Sequence, residues 1–318
     1  MRLLLTISLL GFAWFAAVNL VASAVVWAAG RLIIQRQWQP HGQWLLVMRL
    51  FPACIAALFV AMVFLPAHLR FEPSESDESF GRLVLTLSVV AMAIVVRSLA
   101  RAAAVGAVAL RTRRVLAALP SAIPDGGVAD AYEVDHFAGL SLAGVFKTRI
   151  LVGSEARRAL THEELKVALA HEHAHRASRD NIKRCAMFCA PDFFGWTATA
   201  RALEQRWRAD AECRADARAV AGDERRAVQL AAALVKVAKL TAGAGNRLAS
   251  PVWSAFHEPV LLEARVRRLV AEPNVLRTEP SSPVRYLTAI AVFPLVVWLA
   301  GLPYQLHLMT EFLIASLP

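Results

Sequence analysis

The chain has 318 residues and a formal net charge of +10, with 57% hydrophobic and only 19% charged residues, and its mean hydropathy is +0.46. That balance excludes an ordinary soluble domain and points to the membrane class. The basic excess would suit nucleic acid, but no aromatic-basic or helix-turn-helix signature accompanies it, so nucleic acid is not expected as a partner and anionic membrane lipid is.

The apolar residues are clustered. Leu3 to Gly30 contains no charged residue, long enough to cross a bilayer core of about 30 Å. Arg2, this run and Ala22-Ser23-Ala24 resemble a secretory signal, but the uncharged stretch continues through Val25, Val26 and Trp27 to Gly30, too long for a signal core, so an uncleaved anchor is expected. Leu50 to Leu69 reads as a second span. Leu83 to Val96 is shorter and crosses if Arg82 and Arg97 reach opposite interfaces.

The loops set the expected orientation. Arg31, Arg36 and Arg49 surround the first connection, Glu72, Glu75, Asp77 and Glu78 the second, and Arg97, Arg101, Arg111, Arg113 and Arg114 follow the third span. Positive loops stay in the cytoplasm, which puts the N-terminus outside and the segment from about Arg111 to Ser282 inside. Cys185, Cys189 and Cys213 then lie on the reducing side and Cys54 in a membrane helix, so no disulfide framework is expected, and Cys185 with Cys189 reads as apolar packing.

Pro120, Pro124, Asp125, Gly126 and Gly127 mark a loop. Val145 to Val152 alternates and is rich in branched residues, so it is expected as an edge strand along which an extended peptide could pair. Thr161 stands three residues before Glu164, a capping box, and Leu165, Val167, Ala168, Leu169 and Ala170 run unbroken into His171-Glu172-His173-Ala174-His175. Residues four apart share a helix face, so His171 and His175 can offer imidazole nitrogens to one cation, while Glu172 beside them reaches a water that the cation activates. His173, about 200° round the helix from either, is a bystander.

A catalytic zinc takes three protein ligands, so another is needed. In the alanine-rich helical stretch Trp207 to Ala217, Glu212 is the leading candidate. Asp216, one turn on, would accept the second N–H of a ligating histidine and fix its tautomer. Zn2+ is thus the expected cofactor, His171, His175 and Glu212 its ligands, and Glu172 the general base, moving a proton from water to the leaving amine. Tyr132, His257 and Arg265 are equal candidates for stabilising the oxyanion. Thr241 to Pro251 reads as a mobile connection, followed by a helix carrying Glu263, Arg265, Arg267 and Arg268, and Leu287 to Leu302 reads as a fourth span.

The order of three spans, an HExxH segment and a final span resembles the membrane metallopeptidases of the beta-lactam-sensing antirepressor family. Details agree: the basic stretch and Asp-Asn after that family's HExxH are matched by Arg176, Arg179, Asp180 and Asn181, and its later Glu with Asp four positions on by Glu212 and Asp216. The region from Ala138-Gly139-Leu140 to Ile150-Leu151-Val152 is similar to the strand before the active helix there, and in the heat-shock and CAAX prenyl membrane proteases. Ala215 stands where the family often has Cys, and the sequence stops at Pro318, where sensors of the family continue into a penicillin-binding domain, so antibiotic sensing is not expected.

The expected molecule is a mainly α integral membrane protein with about four transmembrane helices and a cytosolic zincin-like α+β metallopeptidase domain between the third and fourth. Residues 1–110 form three spans, 111–283 the zinc domain, and 284–318 the last span and a short C-terminus. The expected function is a multi-pass endopeptidase of the inner (cytoplasmic) membrane, acting on a cytosolic or membrane-proximal protein or peptide, such as a transcriptional repressor or itself. The alternatives are a non-catalytic membrane signal transducer or scaffold, and a heat-shock- or prenyl-protease-like processing enzyme.

Overall fold

The computed structural model describes residues 2–71, 81–117, 131–135, 137–242, 253–255 and 261–271. The predicted fourth span, His257 and the Pro120 to Gly127 loop lie outside them. The described chain is mostly helical with one small sheet, and its residues divide into two compact units.

The first unit comprises the described residues up to 100 together with 189–205. Its helices are α1 (Arg2–Gln35), α2 (Gly42–Phe59), which passes through a π turn at Val60–Phe64 into α3 (Leu65–Phe71), and the first half of α4 (Arg82–Ala117). Three stretches, Leu5–Gln35, Gly42–Arg70 and Arg82–Ala117, are long and apolar enough to cross a membrane. The third is much longer than the predicted Leu83 to Val96. Arg97 and Arg101 end the apolar run but not the helix, because arginine is a good helix former. The helices meet through small residues: Ala16 of α1, Ala56 of α2 and Ala91 of α4 are fully buried together, and the Ser88 hydroxyl of α4 donates to the Leu9 carbonyl of α1 at 2.7 Å. Without water to drive association, such close approach is what holds membrane helices together. Leu5, Val21, Met62, Val89 and Val96 point outward and are exposed, as lipid-facing residues would be.

Residues 189–205 are anchored on these helices by buried polar groups. The side-chain amide of Asn19 donates to the Pro191 carbonyl at 2.8 Å and its oxygen accepts from the Phe193 N–H at 3.3 Å. Arg49 forms ion pairs with Asp192 and, through Nε at 2.6 Å, with Glu204.

The second unit, residues 101–188 and the described part of 206–280, holds the sheet. Its strands are β1 (Ala131–Val134), β2 (Leu140–Ala143), β3 (Arg149–Gly153) and β4 (Trp253–Ala255), in the order β1-β3-β2-β4. The β1–β3 pair is parallel, with Ala131 opposite Ile150; β2 is antiparallel to both neighbours, with Leu142 opposite Ile150 and Ser254. This corrects the predicted edge strand. Only Arg149 onward is extended, Val145 to Thr148 turn the hairpin, and both sides of β3 are already paired, so no peptide can add to it. The turn begins at Gly144, where φ is +101° and a Cβ would come within 2.6 Å of the Lys147 carbonyl oxygen.

Helices α5 (Ser154–Ala159), α6 (His162–Ser178), α7 (Asp180–Cys189), the later part of α8 (Ala198–Val220), α9 (Glu224–Ala242) and α10 (Leu262–Ala271) complete the unit. One continuous core joins Leu142, Ile150 and Val152 of the sheet with Val167 and Ala168 of α6, Leu230 and Leu234 of α9 and Leu269 of α10. Each buried aliphatic side chain of this size contributes about 1.5–3 kcal/mol. Such a core holds α6 firmly. Cys185 is buried beside Val105, Val108, Ala109, Val145 and Ile182, consistent with its expected apolar packing.

Candidate metal centre

Helix α6 starts where the sequence indicates. Thr161 accepts from the Glu164 N–H while Glu164 accepts from the Thr161 N–H at 2.8 Å, and Lys236 of α9 binds the same carboxylate at 2.7 Å. Two turns on, His171, Glu172 and His175 all lie at 0% exposure, whereas His173 is only half-buried. Helix α8 supplies Glu212 and Asp216, also at 0%.

The three predicted ligands converge. His171 Nε2 and His175 Nε2 are 3.1 Å apart, and each lies 3.4 Å from an oxygen of Glu212. Donors about 2.0–2.1 Å from a tetrahedral ion stand roughly 3.3 Å from one another, so these separations match the edges of a zinc-sized coordination sphere. The group could hold a metal ion, and it is the one such group among the described residues.

Two more carboxylates orient the imidazoles. Asp216 Oδ1 lies 2.9 Å from His171 Nδ1, and Asp180 Oδ2 lies 2.8 Å from His175 Nδ1. Each Nδ1 faces a carboxylate, so each Nε2 lone pair is turned toward the centre. The role of Asp180 has no signature in the spacing. It depends on Arg179, which ends α6 in the left-handed conformation (φ 54°) and turns the chain so that the first residue of α7 folds back on His175. Arg265 of α10 is 3% exposed and grips Asp216 with Nε and Nη2 at 2.9 and 2.6 Å, while its Nη1 lies 2.9 Å from Glu212. Among the three oxyanion candidates it is therefore committed to carboxylates. Tyr132 sits beneath the Arg149 guanidinium and lines a cavity that His175 also lines.

Glu172, Asp180, Glu212 and Asp216 are four buried carboxylates; Arg265 grips Asp216 and Glu212, Arg184 lies 3.6 Å from Glu212, and Lys183 lies 3.3 Å from Asp180. Burial works against the charged form of His175, but the Glu212 charge and the hydrogen bond to Asp180 outweigh it and push its pKa up to about 10. Burial likewise opposes ionisation of Glu212, yet His175 and Arg265 hold it well below the usual carboxylate range. The carboxylates that His175 faces thus favour its protonated form. Glu172 is different: burial raises its pKa, and among the described residues neither of its oxygens has a hydrogen-bond partner. Leaving a buried acceptor unsatisfied costs about 1–3 kcal/mol, so this carboxylate stands out from the three that are paired.

No known protein-family model matches the chain, and a search of curated proteins finds no match. The arrangement could hold a metal ion through two imidazoles and a carboxylate, with Glu172, which has no hydrogen-bond partner among the described residues, one residue from the first of them.

Proposed function

We propose that the protein is a membrane-anchored zinc endopeptidase. The observation that carries this reading is Glu172, buried, without a hydrogen-bond partner among the described residues, and adjacent to three donors at tetrahedral spacing. A purely structural metal site has no use for such a group, which counts against a non-catalytic scaffold. Two neutral imidazoles with one carboxylate suit zinc, which in an open site polarises a carbonyl and lowers the pKa of water toward about 7. His171, His175 and Glu212 hold the ion. Asp216 and Asp180 keep both imidazoles in the ligating tautomer, and Arg265 stabilises the two carboxylates it touches. Glu172 accepts the proton of the attacking water and returns it to the leaving amine, with its raised pKa suited to both transfers.

In this reading residues 1–110 form three spans of the inner membrane, with 111–283 facing the cytosol and 284–318 returning across it. The basic and aromatic residues near the α1–α2 connection, including Arg31 stacked on Trp27 and the exposed Trp38 and Trp44, suit a membrane interface. The substrate is a cytosolic or membrane-proximal protein, a repressor or the chain itself, in the manner of the antirepressor metallopeptidases it resembles. The test is elemental analysis of detergent-purified protein alongside casein and self-cleavage by wild type and Glu172→Gln. One zinc per chain in both, with cleavage in wild type alone, is expected. Folded protein that cannot load metal, or equal cleavage by both, overturns the proposal.

A further inference from the structure

Beside the centre is a cavity of about 630 Å3, within the range of ligand pockets, bounded by the β2–β3 hairpin and the corner between α6 and α7. It meets the centre at one place, the His175–Asp180 pair. Its charge is one-sided. Lys147 and Arg149 come from the hairpin, Arg176 from the last turn of α6 and Arg179 from the left-handed corner. The only carboxylate in the lining, Asp180, is engaged by His175 and by Lys183 at 3.3 Å. Asn181 ties the two walls together, its side-chain amide donating to the Leu142 and Gly144 carbonyls at 3.0 and 2.7 Å. The cations are thus carried on a braced frame. At the hairpin tip Phe146 is 85% exposed, an unusual position for phenylalanine, while the neighbouring Val145 is buried.

We propose that this cavity is a substrate subsite that takes an acidic segment of polypeptide, with glutamate or aspartate side chains among the four cations and an apolar neighbour against Phe146. The inference rests on the protease reading only for the word substrate. Four like charges from three elements focus a positive potential into a concave surface, which draws in anionic chains and fixes their register. A peptide seated there lies beside the His175–Asp180 pair, the place at which the cavity meets the metal ligands.

The test separates the subsite from catalysis. Full-length Glu172→Gln protein in nonionic detergent is titrated into fluorescein-labelled hexaglutamate, hexaglutamine and hexalysine, read by anisotropy. Tight binding of hexaglutamate alone, weakened by salt, is expected. Lys147→Glu removes an attraction and installs a repulsion, so it should weaken binding about tenfold, with Lys147→Arg restoring it. Arg179→Asn, which keeps a residue tolerant of positive φ, should weaken it less, and Arg225→Glu on the exposed face of α9 should leave it unchanged. Equal affinity for hexaglutamate and hexaglutamine, or no effect of Lys147→Glu, overturns the proposal. So does retention on phosphatidylserine vesicles that depends on Lys147 when hexaglutamate does not bind, which would assign the cations to lipid. Hexaglutamate binding by a protein that cleaves nothing would sink the protease and leave an acidic-peptide site; cleavage of casein without hexaglutamate binding would sink the subsite alone.

Discussion

Each unit buries a cluster of charges, and the two clusters are completed differently. In the first unit, Arg49 and Asp192 are 3% and 0% exposed, and the guanidinium is shared between Asp192 and Glu204, while the other Asp192 oxygen accepts from the Gly195 N–H. That network is closed by groups of the chain itself. In the second unit, Asp180, Glu212 and Asp216 are met by Lys183, Arg184 and Arg265, but buried Glu172 has no hydrogen-bond partner among the described residues. A closed network specifies structure, whereas an open one stores an unmet interaction that a ligand or reactant can satisfy.

The sharpest way to break this contrast is Arg49→Met. It strands buried Asp192, and a loss of about 3–5 kcal/mol is expected, read by thermal unfolding in detergent with metal content per folded chain unchanged. Adding Asp192→Leu should recover most of that loss. Asp180→Asn and Asp216→Asn each free one imidazole, and each should weaken zinc binding about 10–100-fold in a chelator competition. The same competition should depend on pH. His175 has a pKa raised from 6.5 to about 10 in the metal-free fold, so its protonation stabilises that fold fully below about 6.5 and the contribution is lost as pH rises through about 10. The metal must displace that proton, so apparent zinc affinity should climb across the same window. A flat profile would show that the pair is not protonated. Thr161→Ala removes half of the capping box and should cost about 1 kcal/mol by chemical denaturation. Smallest of all, Glu172→Gln should leave stability unchanged or slightly raised, because it replaces a buried unpaired acid; a marked loss would mean that the open cluster is a structural one.

The legible part of the site was the part written in helical spacing. His171, Glu172 and His175, and then Glu212 and Asp216, obey the one-turn rule, and Thr161 announces the helix that carries the first three. What the sequence left unread depends on long-range pairing or on a single backbone conformation. Asp180 reaches His175 only because Arg179 is left-handed. Arg265 sits among arginines on a short helix and is, by sequence, one of three equal oxyanion candidates; only the packing of α10 against Asp216, 49 positions away, shows it committed to carboxylates. Arg49 and Asp192 are 143 residues apart, and nothing local to either signals the pairing. The strand beginning at Arg149 was recognised as extended, but alternation reports burial and not neighbours, so its interior place in the sheet could not be inferred.

The corner at Arg179 works as a ruler. One residue added between His175 and Asp180 would swing the aspartate about 100° around the helix axis, away from the imidazole, and one removed would swing it the other way. Anyone grafting this centre onto a designed scaffold would therefore have to transplant 161–181 as an indivisible cassette, whereas Glu212 and Asp216 could come on a separate straight helix provided that an arginine in the place of Arg265 came with it.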